Sequence, residues 1–165
     1  FGGDALAAYG ALARRMDQVG LAGGEAAHNR HMAEHLIEYG GVRYIQIDCG
    51  RIGGVGPAAQ VAAQAEARGV TYVNHTFTSN LALSASLQPF AGLEHHRICE
   101  YPAAPKALAL DISANHLDPN DTGEVAAPDA PGLGIAINED YFDRYLRRVE
   151  IRVDGEVIFP GSSPK

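Results

Sequence analysis

The chain has 165 residues and an average globular composition, which predicts one domain of ordinary size. Apolar residues make up 46% and charged residues 20%, which excludes a disordered or fibrous protein. The chain has 13 basic and 20 acidic residues, and the basic residues form no cluster along the sequence. We therefore expect no nucleic-acid partner. No apolar run has the length that crosses a bilayer, so we expect no membrane partner. The 2 cysteines do not provide a disulfide framework, and we therefore expect a cytoplasmic location.

Helical and strand-like segments alternate along the first hundred residues. Apolar residues at helical spacing predict helices over residues 4–16, 28–39, 57–68 and 79–87. Asp4 is suited to cap the first helix. Short apolar runs predict strands over residues 19–22, 42–48, 70–74 and 97–100. This alternation is typical of βαβ units with a parallel sheet, so the predicted fold class is α/β.

The character of the chain changes after residue 101. Prolines interrupt the next thirty residues, and helical periodicity returns over 139–147. Residues 149–153 alternate between apolar and charged side chains, and Asp154-Gly155 is a hairpin turn signal before 156–159. We therefore expect residues 106–165 to form a loop-rich extension that ends in a small antiparallel ribbon.

An ionisable residue stands at or just after the carboxyl end of each predicted strand. These residues are Glu25, Asp48, His75 and Glu100. Polar groups gathered at this end of parallel strands are typical of the active site of a TIM barrel or a doubly wound sheet. Since residues two apart in a strand share a face, Leu21, Gly23 and Glu25 should point to the same side.

Each of these residues also has an ordinary structural interpretation. Glu25 could favour the start of the next helix, Asp48 could be a turn residue, and His75 could be a hydrogen-bonded structural histidine. Glu100 could be a solvated strand end. The four residues form no functional site only if all four of these structural interpretations are correct. Four such residues at successive strand ends therefore indicate a function. The glycines around Val55 do not complete a dinucleotide-binding motif.

Several segments resemble one family in both order and spacing. They are Gly23-Gly24-Glu25, Ile45-Gln46-Ile47-Asp48-Cys49-Gly50-Arg51-Ile52-Gly53-Gly54, Asn74-His75-Thr76-Phe77, Cys99-Glu100-Tyr101 and Pro128-Asp129-Ala130-Pro131-Gly132-Leu133-Gly134. Together they resemble the mandelate racemase/muconate lactonizing enzyme family of the enolase superfamily, and within it the mandelate-racemase-like subgroup.

The resemblance implies an α/β fold that is the second half, strands 5–8, of an enolase-type TIM barrel. Residues 1–105 would form this half of the catalytic barrel, and 106–165 its C-terminal extension. The barrel strands that carry two further metal-binding carboxylates, and the capping domain that governs substrate choice, would then lie outside this chain. Metal binding and turnover are accordingly expected of a longer parent protein.

The resemblance also implies roles for the strand-end residues. Glu25 matches the third magnesium-binding carboxylate, so the implied cofactor is Mg²⁺. Asp48 and His75 match a catalytic dyad in which the histidine is the acid/base. Glu100 matches the acid that hydrogen-bonds the substrate carboxylate. Arg51 stands at a position that is usually basic in the family, with no role that we can assign from the sequence.

The implied reaction is removal of the proton alpha to a carboxylate. We expect the parent to be an acid-sugar dehydratase acting on an aldonate or aldarate, with a small-molecule carboxylate as substrate. The alternatives are a racemase, epimerase or cycloisomerase of the same superfamily, and a non-catalytic half-barrel that only binds. We also expect a homo-oligomer, because open strand edges favour pairing with another chain.

Overall fold

The computed structural model describes residues 2, 5–16, 18–147 and 149–161. It confirms the α/β fold class. Asp4, the expected cap of the first helix, lies outside the described residues, so its role stays a prediction. Within the described part of the chain, no helix has both the length and the apolar character required to span a membrane.

Helices and strands alternate through the first ninety residues, as the sequence predicts. The helices are α1 (Leu6–Ala13), α2 (Arg30–Tyr39), α3 (Cys49–Ile52), α4 (Val55–Ala67), α5 (Asn80–Leu87), α6 (Ala107–Asp111) and α7 (Phe142–Tyr145). Turns of 3₁₀ helix cover Gln88–Phe90 and Glu139–Tyr141. The strands are β1 (Ala22–Gly23), β2 (Tyr44–Ile47), β3 (Thr71–Asn74), β4 (Ile151–Val153) and β5 (Glu156–Phe159).

A parallel sheet with the strand order β1-β2-β3 forms the centre of the fold. Ile45 and Ile47 of β2 are fully buried against the helices, as is Tyr72 of β3. The alternate residues Tyr44 and Gln46 lie on the other face, which is half-buried. Two-residue alternation thus separates a helix-covered face from a face that is open to a further layer.

Short polar side chains begin two of the helices that pack on this sheet. The Asn29 side chain accepts a hydrogen bond from Met32 N at 3.0 Å at the start of α2. Ser79 accepts one from Ala82 N at 3.3 Å at the start of α5. These are N-caps, which satisfy amide groups that have no partner within the helix. Apart from α7, which ends before residue 147, the predicted helices are confirmed with small shifts at their ends.

The expected fourth strand over 97–100 is wrong, because these residues form no regular strand. Side chains occupy the edge of β3 instead. Tyr72 N donates to His96 Nδ1 at 2.8 Å, and the Asn74 side chain bonds both backbone groups of Glu100. Because Tyr72 N and both backbone groups of Glu100 already have side-chain partners, residues 97–100 run beside β3 without a regular backbone ladder.

The predicted direction of Gly23 is also wrong. Gly23 pairs with Ile45 and therefore lies on the helix-covered face, where a Cβ would be 2.8 Å from Tyr9 Oη. The alternation is interrupted at Gly24, which has a φ of 120°. This left-handed conformation turns the chain so that Glu25 returns to the open face.

The C-terminal region contains the predicted ribbon. Strands β4 and β5 pair antiparallel, and Asp154 and Gly155 have the positive φ values, 50° and 84°, of a type I′ turn. The segment before the ribbon is bonded to α5, where Ser84 Oγ donates a hydrogen bond to Leu133 O at 2.6 Å. The proposed division between residues 105 and 106 stays a prediction.

Gly24 should be intolerant of any side chain. A Cβ at this position would lie 2.7 Å from Gln46 O and from Ile45 Cδ1, and the backbone is left-handed. We expect Gly24→Ala to lower the free energy of unfolding by about 2–4 kcal/mol, through strain and overpacking. Gly56→Ala is the matched control, because Gly56 lies in α4 with open space around it. Urea unfolding followed by circular dichroism compares the two, and equal stabilities would contradict this account.

The isolated chain should associate with itself. Val19 and Ile98, close to the two edges of the sheet, are 57% and 51% exposed, and the apolar residues of the terminal ribbon are also exposed. Burying each such side chain contributes roughly 1.5–3 kcal/mol, which favours contact between copies. Sedimentation velocity should therefore detect dimers or larger species. A compact monomer with one sharp melting transition would contradict the expectation.

Candidate active site

The predicted site residues meet around the His75 side chain at the end of β3. His75 is 8% exposed. Its Nδ1 lies 3.1 Å from Asp48 Oδ2, and its Nε2 lies 2.8 Å from Glu25 Oε2. Glu100 Oε1 is 3.8 Å from the same Nε2. The structure therefore brings together all four residues that the sequence singled out.

Strand register places Asp48 beside His75. Ile47 of β2 pairs with Asn74 of β3, so the next residues along the two parallel strands are neighbours. His75 N continues the ladder by donating to Ile47 O at 2.9 Å. The Asp48 carboxylate thus lies next to His75 because their two strands are paired.

The Asp48 carboxylate is also the N-cap of α3. Oδ1 accepts hydrogen bonds from Gly50 N at 2.8 Å and Arg51 N at 3.0 Å, and Oδ2 faces the His75 ring. The ordinary interpretation of Asp48 as a turn residue is therefore correct for one oxygen, while the other is available to the histidine. Backbone bonds of this kind stabilise a carboxylate in one orientation.

Glu100 is held from two neighbouring strands. Gln46 Nε2 donates to Glu100 Oε2 at 3.1 Å. The Asn74 amide donates to Glu100 O at 3.0 Å and accepts from Glu100 N at 2.9 Å. Glu100 therefore reaches the position expected of a strand end although no regular strand carries it there.

Arg51 links the ends of β1 and β2. Its Nη1 donates to Glu25 O at 3.2 Å, and its Nε lies 3.9 Å from Asp48 Oδ2. The guanidinium stands 5.7 Å from the Phe77 ring, which in turn packs edge-on against His75. The sequence placed Arg51 near the site without a role. Phe77 belongs to one of the segments that resemble the family, and the sequence assigned it no role either.

Comparisons with known proteins identify the family of this chain. Residues 2–141 match the family model of the enolase C-terminal domain-like proteins. The chain belongs to the enolase superfamily. This match and the structural likeness to a predicted mandelate racemase identify it as the C-terminal part of such a protein. The resemblance seen in the sequence is thereby confirmed.

Two curated relatives and one solved structure illustrate the similarity. D-galactarolactone cycloisomerase of Agrobacterium fabrum is 31% identical over 143 residues, which cover 82% of this chain and 37% of that protein. D-galactonate dehydratase of Xanthomonas campestris is 31% identical over 130 residues, covering 75% and 34%. The crystal structure of a predicted mandelate racemase from Rhodobacter sphaeroides has a TM-score of 0.90 and 61% identity, covering 99% of this chain and 42% of that one. The chain thus spans about a third of the length of these curated relatives.

The described residues on their own do not fit a magnesium site. They contain no group of three or more His, Cys, Asp or Glu side chains arranged to hold a metal ion. Glu25 is a suitable hard-oxygen ligand, and its side chain is 56% exposed. Among the described residues, Glu25 thus has an exposed carboxylate but is not part of a complete metal site.

Cys49, next to Asp48, should be unreactive. Burial, with a smaller contribution from the Asp48 charge, raises the pKa of the Cys49 thiol to about 11. Cys49 Sγ also donates to Ala85 O at 3.4 Å. At pH 8 we expect about a hundredfold less thiolate than in the unfolded chain, and alkylation slowed at least as much. Mass spectrometry of iodoacetamide-treated protein, with a urea-unfolded control, measures this. Equal labelling of Cys49 in both samples would contradict it.

Proposed function

We propose that this chain carries the acid/base centre of an enzyme that removes the proton alpha to a carboxylate. The observation that carries the proposal is the His75 ring, with Asp48 at Nδ1 and two further carboxylates on the side of Nε2. Histidine is the commonest side chain for such proton transfers. A buried histidine with a structural role alone would not require three carboxylates around it.

In this mechanism the base is His75 Nε2. The Asp48 carboxylate accepts the hydrogen bond from Nδ1–H, which fixes the tautomer and the ring orientation. Nε2, which lies 2.8 Å from Glu25 Oε2, takes the α-proton when the substrate displaces that carboxylate from it. Once the ring is an imidazolium, the same carboxylate stabilises its charge. For dehydration the imidazolium returns this proton to the departing β-hydroxyl, so that water leaves and the ring is neutral again.

We assign Glu100 to the substrate carboxylate. Removal of the α-proton places negative charge on the carboxylate oxygens of the substrate, and a short hydrogen bond from a protonated Glu100 would stabilise it. The distance of 3.8 Å between Glu100 Oε1 and His75 Nε2 supports this assignment, because a small substrate could contact both. Asp48, His75 and Glu100 are therefore the proposed catalytic residues.

The proposal includes Mg²⁺ for the longer protein, with Glu25 as one ligand. When bound, a divalent cation supplies Lewis-acid stabilisation of the enediolate. The residues of this chain do not complete that site, so no step above is assigned to the metal. An Asp and a Glu after two further strands, upstream in the reading frame, would support this part of the proposal.

The relatives favour sugar acids as the substrate class. D-galactonate dehydratase supports dehydration of an aldonate or aldarate as the leading reaction. D-galactarolactone cycloisomerase supports cycloisomerisation as the second candidate, since it is equally similar over slightly more of the chain. A racemase or epimerase would require a second base opposite His75, from a strand outside this chain.

We further propose that residues 1–105 form the second half of a TIM barrel, in which β1, β2 and β3 are strands 5–7 and residues 97–100 take the place of strand 8, with 106–165 as an extension. The parallel β1-β2-β3 sheet with one helix-covered face supports this architecture, with 97–100 beside β3 in the fourth position. A homo-oligomer and a cytoplasmic location also belong to the proposal.

Replacing His75 tests the proposed chemistry. In the longer protein, His75→Asn should slow exchange of the substrate α-proton with deuterated water by at least about a hundredfold, the low end for a general base. Substrate affinity should change little, because Glu100 and the metal ligands remain. His95→Asn is the matched control, since His95 is an exposed histidine. Proton NMR of an aldonate such as D-galactonate measures the exchange.

Two outcomes would contradict the proposal. Exchange at the wild-type rate in His75→Asn would remove His75 from the mechanism. Absence of exchange in the wild-type longer protein with aldonates, aldarates and their lactones would favour the non-catalytic half-barrel.

A further inference from the structure

Glu100 owes its position to side chains of other strands, and this dependence has a functional consequence. Residues 97–100 have no regular backbone pairing with β3. The backbone of Glu100 is instead bonded by Asn74, and its carboxylate by Gln46. A strand ladder would have fixed this segment through many backbone bonds, whereas here Glu100 is bonded mainly by the side chains of Asn74 and Gln46, with a longer contact of 3.5 Å from Cys99 Sγ to Glu100 O.

The Asn74 side chain holds the backbone of Glu100. It is fully buried, and a buried amide requires partners for both its oxygen and its nitrogen. The oxygen accepts from Glu100 N, while the nitrogen donates to Glu100 O and to Ser86 Oγ. Asn74 immediately precedes His75, so one rigid strand end determines the positions of both groups.

Gln46 controls the other end of Glu100. It lies in β2 opposite Val73, on the open face of the sheet. Its Nε2 donates to Oε2 of Glu100, which leaves Oε1 directed toward His75 Nε2. A carboxylate that was free to rotate would lose this orientation.

We propose that Gln46 and Asn74 are positioning residues, which hold Glu100 against the His75 side of the site so that Oε1 faces the substrate. This inference rests on the proposed function, in which Glu100 binds the substrate carboxylate. Asn74 sets where the backbone of Glu100 lies, and Gln46 sets which carboxylate oxygen is available. Both act through Glu100 and neither needs to touch the substrate.

The first experiment measures position without measuring activity. In the ¹⁵N-labelled longer protein, Asn74→Ala should speed hydrogen exchange of the Glu100 amide by about tenfold, because one buried hydrogen bond is lost. Exchange of Ile45 in β2 serves as the internal reference for folding. Unchanged protection of Glu100 in a folded variant would overturn the role of Asn74.

Gln46→Met covers the case in which Asn74→Ala does not fold. It retains the length of the side chain on a half-buried face and removes the donor to Glu100. In the longer protein we expect kcat to fall about tenfold with KM changed less than about twofold, because Glu100 acts on charge that develops in the transition state. Gln60→Met, at an exposed position of α4, is the matched control.

A double variant separates positioning from a general structural role. Adding Gln46→Met to Glu100→Ala should lower kcat by no more than about twofold beyond Glu100→Ala, because Gln46 then has nothing to orient. Losses that multiply independently would overturn the proposal. If the wild-type longer protein exchanges no α-proton, the proposed function fails, and Glu100 amide exchange alone then decides whether Asn74 positions that residue.

Discussion

The register between β2 and β3 is the constraint on which the site depends. Ile47 is level with Asn74, and both strands run in the same direction, so Asp48 and His75 emerge side by side. A shift by one residue would move every side chain of one strand to the opposite face. The buried face of Ile45 and Ile47 opposes such a shift, because it would bring Gln46 into the core. Packing on the helix side of the sheet thus determines which side chains meet on the other side.

The sequence was sufficient where the relevant signal is local. His75 and Asp48 each follow a recognisable strand, and parallel strands end at a common edge, so their meeting could be predicted without a structure. Glu25 and Glu100 were predicted at the right place for partly wrong reasons. Gly24 interrupts the alternation that was applied to Glu25, and the strand that was to carry Glu100 is replaced by side-chain bonds.

Other features of the site depend on contacts that are distant in sequence. Gln46 and Glu100 are 54 positions apart, and no periodicity relates them. In the sequence, Asn74 is a polar residue at the end of a predicted strand. It is buried because the segment that follows α5 packs against it. The contact of Arg51 with the Glu25 carbonyl likewise requires β1 and β2 to be adjacent. These contacts position the groups that the sequence could identify.

The double use of the Asp48 carboxylate affects how other sequences of this fold are interpreted. One oxygen caps α3 and the other faces His75, so loss of the histidine would leave the aspartate with a structural reason to persist. A relative that does not carry out the proposed proton transfer could therefore keep the aspartate as a helix cap, or replace it with another capping residue such as asparagine. The aspartate by itself is then a weak marker of activity in a genome. The histidine that follows the neighbouring strand is the more informative of the two.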